Sequence, residues 1–227
     1  MPRWARRGPA RAARLLLRDG IILPTSALWA SVCVDGLENL AGVEPPVLFV
    51  PNHVSMLDVP VLCRALPFSW RRRVAPAIMA EYFLPWFRPE GRPRLQVLKR
   101  GLQLWLAALL FQAFPLPRGQ GFRTSLQYAG ELVDAGQCPT VFPEGTRSIS
   151  GVGPFQAGIG LLAVRLGVPL VPVHIRGLER ILPPDARWPR RGKVRVRFGA
   201  PLRIDPTEEA AEAARRVEAA VRDLAEA

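Results

Sequence analysis

The chain has 227 residues and a mass of 25.1 kDa, enough for one domain with a sizeable core that needs neither metal nor disulfide to fold. Apolar residues at 49%, charged residues at 22% and a mean hydropathy of +0.11 exclude a disordered chain. A net charge of +12, from 31 Lys plus Arg against 19 Asp plus Glu, calls for an anionic partner: nucleic acid, membrane surface or phosphorylated substrate.

The chain opens on a basic arm. Residues 1–18 hold Arg3, Arg6, Arg7, Arg11, Arg14 and Arg18 and no acid, and residues 21–34 are mostly apolar apart from Pro24. Basic residues before an apolar run also begin secretory signals, but Asp19 and Pro24 interrupt this one and no small-x-small site ends it. The preferred reading is a membrane-surface anchor. On a helix starting at Pro9, Arg11, Arg14 and Arg18 share one stripe suited to anionic lipid, with Trp4 and Trp29 placed as interfacial anchors. A basic helix docked on the domain accounts for the same residues. No run reaches the eighteen or so apolar residues of a spanning helix.

Strands and helices then alternate. Residues 47–50, apolar and behind Pro45-Pro46, read as a buried strand. Residues 56–66 carry helical spacing up to Pro67, 74–79 suit a second strand, and 95–110 suit a long helix leading into a strand over 111–116. A helix over 124–135 closes at Gly136, a strand covers 140–142, and a helix over 159–166 closes at Gly167. Strands over 170–175 and 194–198 complete the set, and Asp205, Pro206 and Glu208 predict the last helix as N-cap, N1 and N3 of a capping box. This alternation predicts an α/β fold with a mixed, largely parallel central sheet flanked by helices. Cys33, Cys63 and Cys138, an odd set without C-x-x-C, read as buried small hydrophobes in a reducing compartment.

Two polar turns, each directly behind a strand, are where the chemistry is expected, because open α/β sheets bind ligands beyond the carboxyl ends of their strands. The first is Asn52-His53-Val54-Ser55-Met56-Leu57-Asp58. With His53 in the turn and Asp58 in the first helical turn behind it, the carboxylate fixes the imidazole tautomer and leaves the other nitrogen as a general base. A helix-capping cluster, with Asn52 or Ser55 as cap, fits the same spacing. The second is Phe142-Pro143-Glu144-Gly145-Thr146-Arg147-Ser148. Gly145 permits a tight turn with exposed N–H groups, Thr146 offers a hydroxyl, Arg147 offers a two-pronged phosphate donor, and Glu144 either orients that arginine or takes a substrate hydroxyl. A surface turn with a Glu–Arg pair is the alternative.

Together, N-H-x-S-x-x-D at 52–58 and F-P-E-G-T-R-S at 142–148 resemble the paired motifs of the glycerolipid acyltransferase family, of the 1-acylglycerol-3-phosphate acyltransferase type. The resemblance covers residues 47–201 and extends to Phe114-Pro115-Leu116-Pro117-Arg118 and Val171-Pro172-Val173. One departure is Phe155-Gln156-Ala157-Gly158, where the family often has Phe-Lys-x-Gly, which bears on the acceptor head group.

The expected organisation is a membrane-associating segment over 1–36, read from its basic and apolar residues, and an acyltransferase domain over 37–227, implied by the resemblance. The resemblance also implies transfer of a fatty acyl group from acyl-CoA or acyl carrier protein to the free hydroxyl of 1-acylglycerol 3-phosphate, giving phosphatidic acid. His53 would act as general base with Asp58 holding it, while Asn52, Ser55, Arg118, Glu144, Gly145, Thr146 and Arg147 would bind the acceptor. No cofactor is implied beyond the thioester co-substrate. Without a G-x-S-x-G turn, and with cysteines in apolar contexts, direct transfer is preferred to a covalent acyl-enzyme. The implied partners are an anionic membrane surface, a lysophospholipid acceptor and the acyl donor, with no nucleic acid, and the implied location is the cytoplasmic face of a membrane, peripheral or monotopic. The same chemistry on another lysophospholipid, glycerol 3-phosphate or an amine-bearing lysolipid stays open. A non-enzymatic basic protein binding membrane or DNA is the remote alternative. Gly158-Ile159-Gly160-Leu161-Leu162-Ala163 spells a dinucleotide-like G-x-G-x-x-A, but no strand leads into it and helix packing is preferred.

Overall fold

The computed structural model describes residues 2–117, 121–148, 151–183, 186 and 188–226. Seven strands form one sheet in the order β1-β7-β6-β2-β5-β3-β4. They are β1 (Ala30–Asp35), β2 (Leu48–Pro51), β3 (Val74–Met79), β4 (Phe114–Leu116), β5 (Cys138–Thr140), β6 (Leu170–Arg176) and β7 (Gly192–Phe198). Five of them, from β6 to β4 across the sheet, run parallel, while β7 is antiparallel to β6 and carries β1 parallel to itself. The expected mixed, largely parallel sheet flanked by helices is the fold observed.

The helices are α1 (Gly8–Arg14), α2 (Leu23–Ser26), α3 (Asp58–Ala65), α4 (Phe68–Arg71), α5 (Leu84–Phe87), α6 (Arg94–Phe111), α7 (Phe122–Asp134), α8 (Gly158–Leu166), α9 (Leu178–Ile181) and α10 (Ala210–Glu226). The central strand β2 is buried throughout, and its side chains alternate between two cores. Phe49 joins Val61, Leu62, Trp70, Val173 and Phe198 on one face. Leu48 and Val50 join residues of α7, α8 and α10, including Leu132, Leu162 and Val217, on the other. Burial on both faces explains why β2 reads as an unbroken apolar run instead of an alternating one. Gly160 fits the packing reading of its G-x-G-x-x-A run, because a Cβ there would collide with the Ala210 carbonyl at the start of α10.

Several sequence expectations are corrected. Strand β1 lies within the segment read as membrane-associating, and its half-buried pattern and short length conceal it in an apolar stretch. Two of the three stripe arginines, Arg14 and Arg18, are buried, while Arg11 is exposed. Arg14 is buried, donating to the carbonyls of Leu109 and Ala5, both at 2.8 Å, and burial pushes its guanidinium down to about 10. Arg18 is buried against Asp19 at 2.9 Å. Arg14 through the Leu109 carbonyl, and Arg18 through the Arg71 carbonyl at 3.5 Å, fasten the N-terminal helical segment to the domain. Cys33 is exposed on the outer face of β1, while Cys63 and Cys138 are buried, their thiols pushed up to about 11. The last helix begins at Ala210, four residues after the expected N1. Asp205 caps a local turn instead, accepting from the Thr207 N–H at 2.8 Å, and Glu208 pairs with Arg216. Among the described residues no helix is long and apolar enough to cross a membrane.

Candidate active site

Both polar turns emerge at the carboxyl ends of neighbouring parallel strands, β2 and β5, and β6 borders them on the other side of β2. The turn after β2 is set by Asn52. Its amide accepts from the Ile175 N–H at 2.7 Å and donates to the Ile175 carbonyl at 3.0 Å. A side chain thus continues the ladder to β6 in place of the backbone, which is free to turn away at His53. Ser55, also buried, accepts from the Leu57 N–H at 3.4 Å and closes the entry to α3.

That turn brings His53 and Asp58 together. Nδ1 of His53 lies 2.6 Å from Oδ2 of Asp58, and the same oxygen accepts from the N–H groups of Val54 at 2.9 Å and Ser55 at 3.0 Å. Asp58 is 1% exposed and its ring partner 26% exposed. Burial pushes the Asp58 carboxyl above its ordinary range, while the histidine and the two N–H groups pull the other way. An oxygen in this geometry selects the Nδ1–H tautomer. Nε2 has no protein partner among the described residues. The ring rests against Phe142, centroids 4.7 Å apart.

Glu144 ties the second turn to the first. Its Oε1 accepts from the His53 backbone N–H at 2.7 Å, and its Oε2 accepts from the Gly153 N–H at 3.0 Å. The Ser148 N–H donates back to the His53 carbonyl at 2.8 Å. His53 is therefore held by its main chain on both sides and by Asp58 through its ring. Burial raises the Glu144 carboxyl, opposed by the two N–H donors. Gly145 sits at φ +68°, a left-handed conformation that favours glycine, with its N–H on the Phe142 carbonyl at 3.2 Å. Thr146 and Arg147 project from this turn and are exposed, with no side-chain partner for Arg147 among the described residues.

Residues 31–176, from β1 to the end of β6, match the family model described as Acyltransferase. The chain belongs to the acyltransferase family. Over 189 residues it is 31% identical to the chloroplastic 1-acyl-sn-glycerol-3-phosphate acyltransferase BAT2 of Brassica napus, covering 77% of this chain and 48% of that protein. The chloroplastic LPAT1 of Arabidopsis thaliana is 29% identical over 189 residues, covering 77% and 47%. The 1-acyl-sn-glycerol-3-phosphate acyltransferase of Saccharomyces cerevisiae is 26% identical over 188 residues, covering 77% and 52%. This chain thus spans about half the length of these relatives. It shares the fold of the 1-acyl-sn-glycerophosphate acyltransferase PlsC of Thermotoga maritima, with a TM-score of 0.68 at 24% identity over 98% of this chain and 84% of that one.

In this family member the structure brings together His53, Asp58, Asn52, Ser55, Glu144, Gly145, Thr146 and Arg147 at the carboxyl edge of the sheet. Arg118 lies outside the described residues. Within the group the residues divide. Asn52, Ser55 and Glu144 direct their polar atoms at the protein backbone, whereas the His53 ring, Thr146 and Arg147 face outward. Two contributors, Gly153 and Ile175, are not marked as site residues by the sequence. Gly153 matters through closeness, since a Cβ there would lie 2.7 Å from Oε2 of Glu144. Phe142 and Ser148, the first and last residues of their motif, are marked by position, but their contacts with His53 required coordinates.

Proposed function

We propose that this acyltransferase moves a fatty acyl group from acyl-CoA or acyl carrier protein to the free hydroxyl of 1-acylglycerol 3-phosphate, giving phosphatidic acid at an anionic membrane surface. The observation that carries this reading is the His53–Asp58 pair at 2.6 Å, with Nε2 directed away from Asp58 on a partly exposed ring. The names of the plant and yeast relatives supply the acceptor.

Nε2 takes the proton of the acceptor hydroxyl as its oxygen attacks the thioester carbonyl carbon. Asp58 stabilises the imidazolium that forms, and collapse of the tetrahedral intermediate breaks the C–S bond, the sulfur receiving the proton from His53. Ester and free thiol are the products. A positioned base contributes about 10²–10⁴ in rate, so juxtaposition of the two substrates supplies a comparable share. Arg147 and Thr146, exposed beside the ring on the neighbouring turn, hold the acceptor phosphate and glycerol. Arg118 is assigned to the same phosphate. Glu144 acts as a positioning residue through the His53 backbone. The transfer proceeds directly, without a cofactor or an acyl-enzyme.

The test uses one radiolabelled thioester donor with a panel of acceptors: 1-acylglycerol 3-phosphate, lysophosphatidylcholine, glycerol 3-phosphate and an amine-bearing lysolipid. The expected result is preferred labelling of phosphatidic acid, abolished by His53→Ala in a folded protein. Preferred labelling of another acceptor overturns the substrate assignment, and retained activity in His53→Ala overturns the mechanism.

A further inference from the structure

The long helix α6 carries its most apolar stripe on the outside. Leu95, Leu98 and Leu102 are 79%, 64% and 59% exposed, and Trp105 and Leu106 follow them into solvent. At about 100° per residue these five positions fall within a sector of roughly 100°. The buried positions are Gly101 and Ala108, outside that sector, and Leu109 in the last turn of the helix. Gly101 is the seat of α5, since a Cβ there would collide with the Trp86 indole. That packing leaves Leu84, Trp86 and Phe87 of α5 exposed beside α6. A cleft of about 270 Å³ between Trp4, Trp86, Phe87, Leu104 and Trp105 opens on the same face.

A contiguous apolar surface of this kind on a folded domain marks something that covers it. Its border identifies the occupant. Between 84 and 111 stand Arg88, Arg92, Arg94, Lys99 and Arg100 against the single acid Glu90. On the helical wheel Arg94 and Lys99, both exposed, fall about 20° outside either edge of the leucine sector. A second copy of the chain, meeting this face about a two-fold axis, would bring cation against cation. An anionic bilayer meets both features at once, taking the leucines and tryptophans into its interface and the arginines into its headgroup layer.

We propose that the α5–α6 face is a surface by which this protein inserts into anionic lipid. The proposal deepens the function given above and rests on its membrane-resident acceptor. The topology gives the face a purpose. β3 ends at the carboxyl edge of the sheet where His53 lies, Arg100 of α6 stacks on Tyr82 just beyond it, and α6, about 27 Å long, finishes just before β4 begins at the opposite edge. Its N-terminal half, with Leu95 and Leu98, therefore stands at the edge where substrates enter. Beneath it the N-terminal helix acts as a brace, its Arg14 donating to the Leu109 carbonyl of α6.

The test is flotation of the full chain with vesicles of phosphatidylcholine containing 30% phosphatidylglycerol, beside pure phosphatidylcholine. Leu95→Glu/Leu98→Glu/Leu102→Glu is expected to weaken binding to the anionic vesicles roughly tenfold or more, with the thermal midpoint and the rate on detergent-dispersed substrates unchanged. Arg94→Glu/Lys99→Glu should weaken it more than the same reversal at Arg7 and Arg11. Flotation of the triple variant equal to the parent overturns the proposal, as does a change from dimer to monomer with flotation retained, which would assign the face to a second copy. A parent protein that acylates dispersed acceptor while floating independently of α6 removes this surface alone. A parent that floats through α6 but transfers no acyl group removes the proposed activity and leaves the surface standing.

Discussion

Asp58→Asn tests the proposed catalytic role of this carboxylate apart from its structural one. Oδ2 of Asp58 accepts from three donors, the His53 ring at 2.6 Å and the Val54 and Ser55 N–H groups at 2.9 and 3.0 Å. An asparagine carbonyl keeps the two backbone bonds, and it removes a negative charge that burial already disfavours. The asparagine NH2 takes the place of the buried Oδ1, which has no partner among the described residues, so the expected stability loss is about 1–3 kcal/mol. The loss falls on the imidazolium of the transition state. Opposite charges about 4 Å apart at an effective dielectric constant near 20 attract by about 4 kcal/mol, close to a thousandfold in rate. Asp58→Ala should lose both functions, because it leaves two buried N–H groups without an acceptor at about 1–3 kcal/mol each. Thermal unfolding by circular dichroism and initial rates on dispersed 1-acylglycerol 3-phosphate measure the two effects separately. A folded Asp58→Asn variant with kcat/KM within tenfold of the parent would refute the assignment of Asp58 to His53.

Three further outcomes follow from the geometry. Arg147→Ala, which removes one charge-assisted contact worth about 1.5–3 kcal/mol, should raise KM for the phosphorylated acceptor about tenfold or more with kcat largely kept, and an unchanged KM speaks against the phosphate assignment. Gly153→Ala places a Cβ 2.7 Å from the end of the Glu144 side chain, which can swing away at little cost, so activity should fall while the unfolding midpoint barely moves. A variant as active as the parent would mean that Glu144 does not position His53. Buried His174 is held down to about 4 by desolvation and then by Arg197 and Arg176, so between its unfolded value near 6.5 and pH 4 the unfolded chain binds a proton that the native chain does not. Stability should fall with decreasing pH across that window, by about 2–3 kcal/mol, and His174→Gln should remove that component in urea titrations. The raised carboxyls of Asp58 and Glu144 act in the opposite sense on acidification, so the difference between parent and variant is the quantity to compare.

The elements that could be read from the chain are those whose local signals agree with their packing. Residues 74–79 are strand β3 as expected, the helix expected over 95–110 is Arg94–Phe111, and Gly167 closes α8 in a left-handed conformation at φ +62°. The start of α10 misled because Asp205 satisfies an N–H two residues on, a local turn that uses the same capping chemistry without starting the helix. β1 was hidden because an edge strand half-exposed on one face resembles any short apolar stretch. Charge was the least legible property. Arg14 and Arg18 lie in an acid-free run that suggests a solvated or lipid-facing surface, yet both are buried and bonded to backbone or Asp19.

By itself the sequence determined the α/β alternation, the two polar turns behind apolar strands and the residue types that can move a proton and hold a phosphate. Those are local properties, set by periodicity, glycine and proline, and the chemistry of adjacent side chains. Only the tertiary structure decided that the turns after β2 and β5 share one sheet edge, and that Glu144, ninety-one residues from His53, holds its backbone. It also decided which cations remain at the surface. Pairing between strands distant in the chain, and burial of one helix against another, arise from the whole core, and no window of sequence contains either.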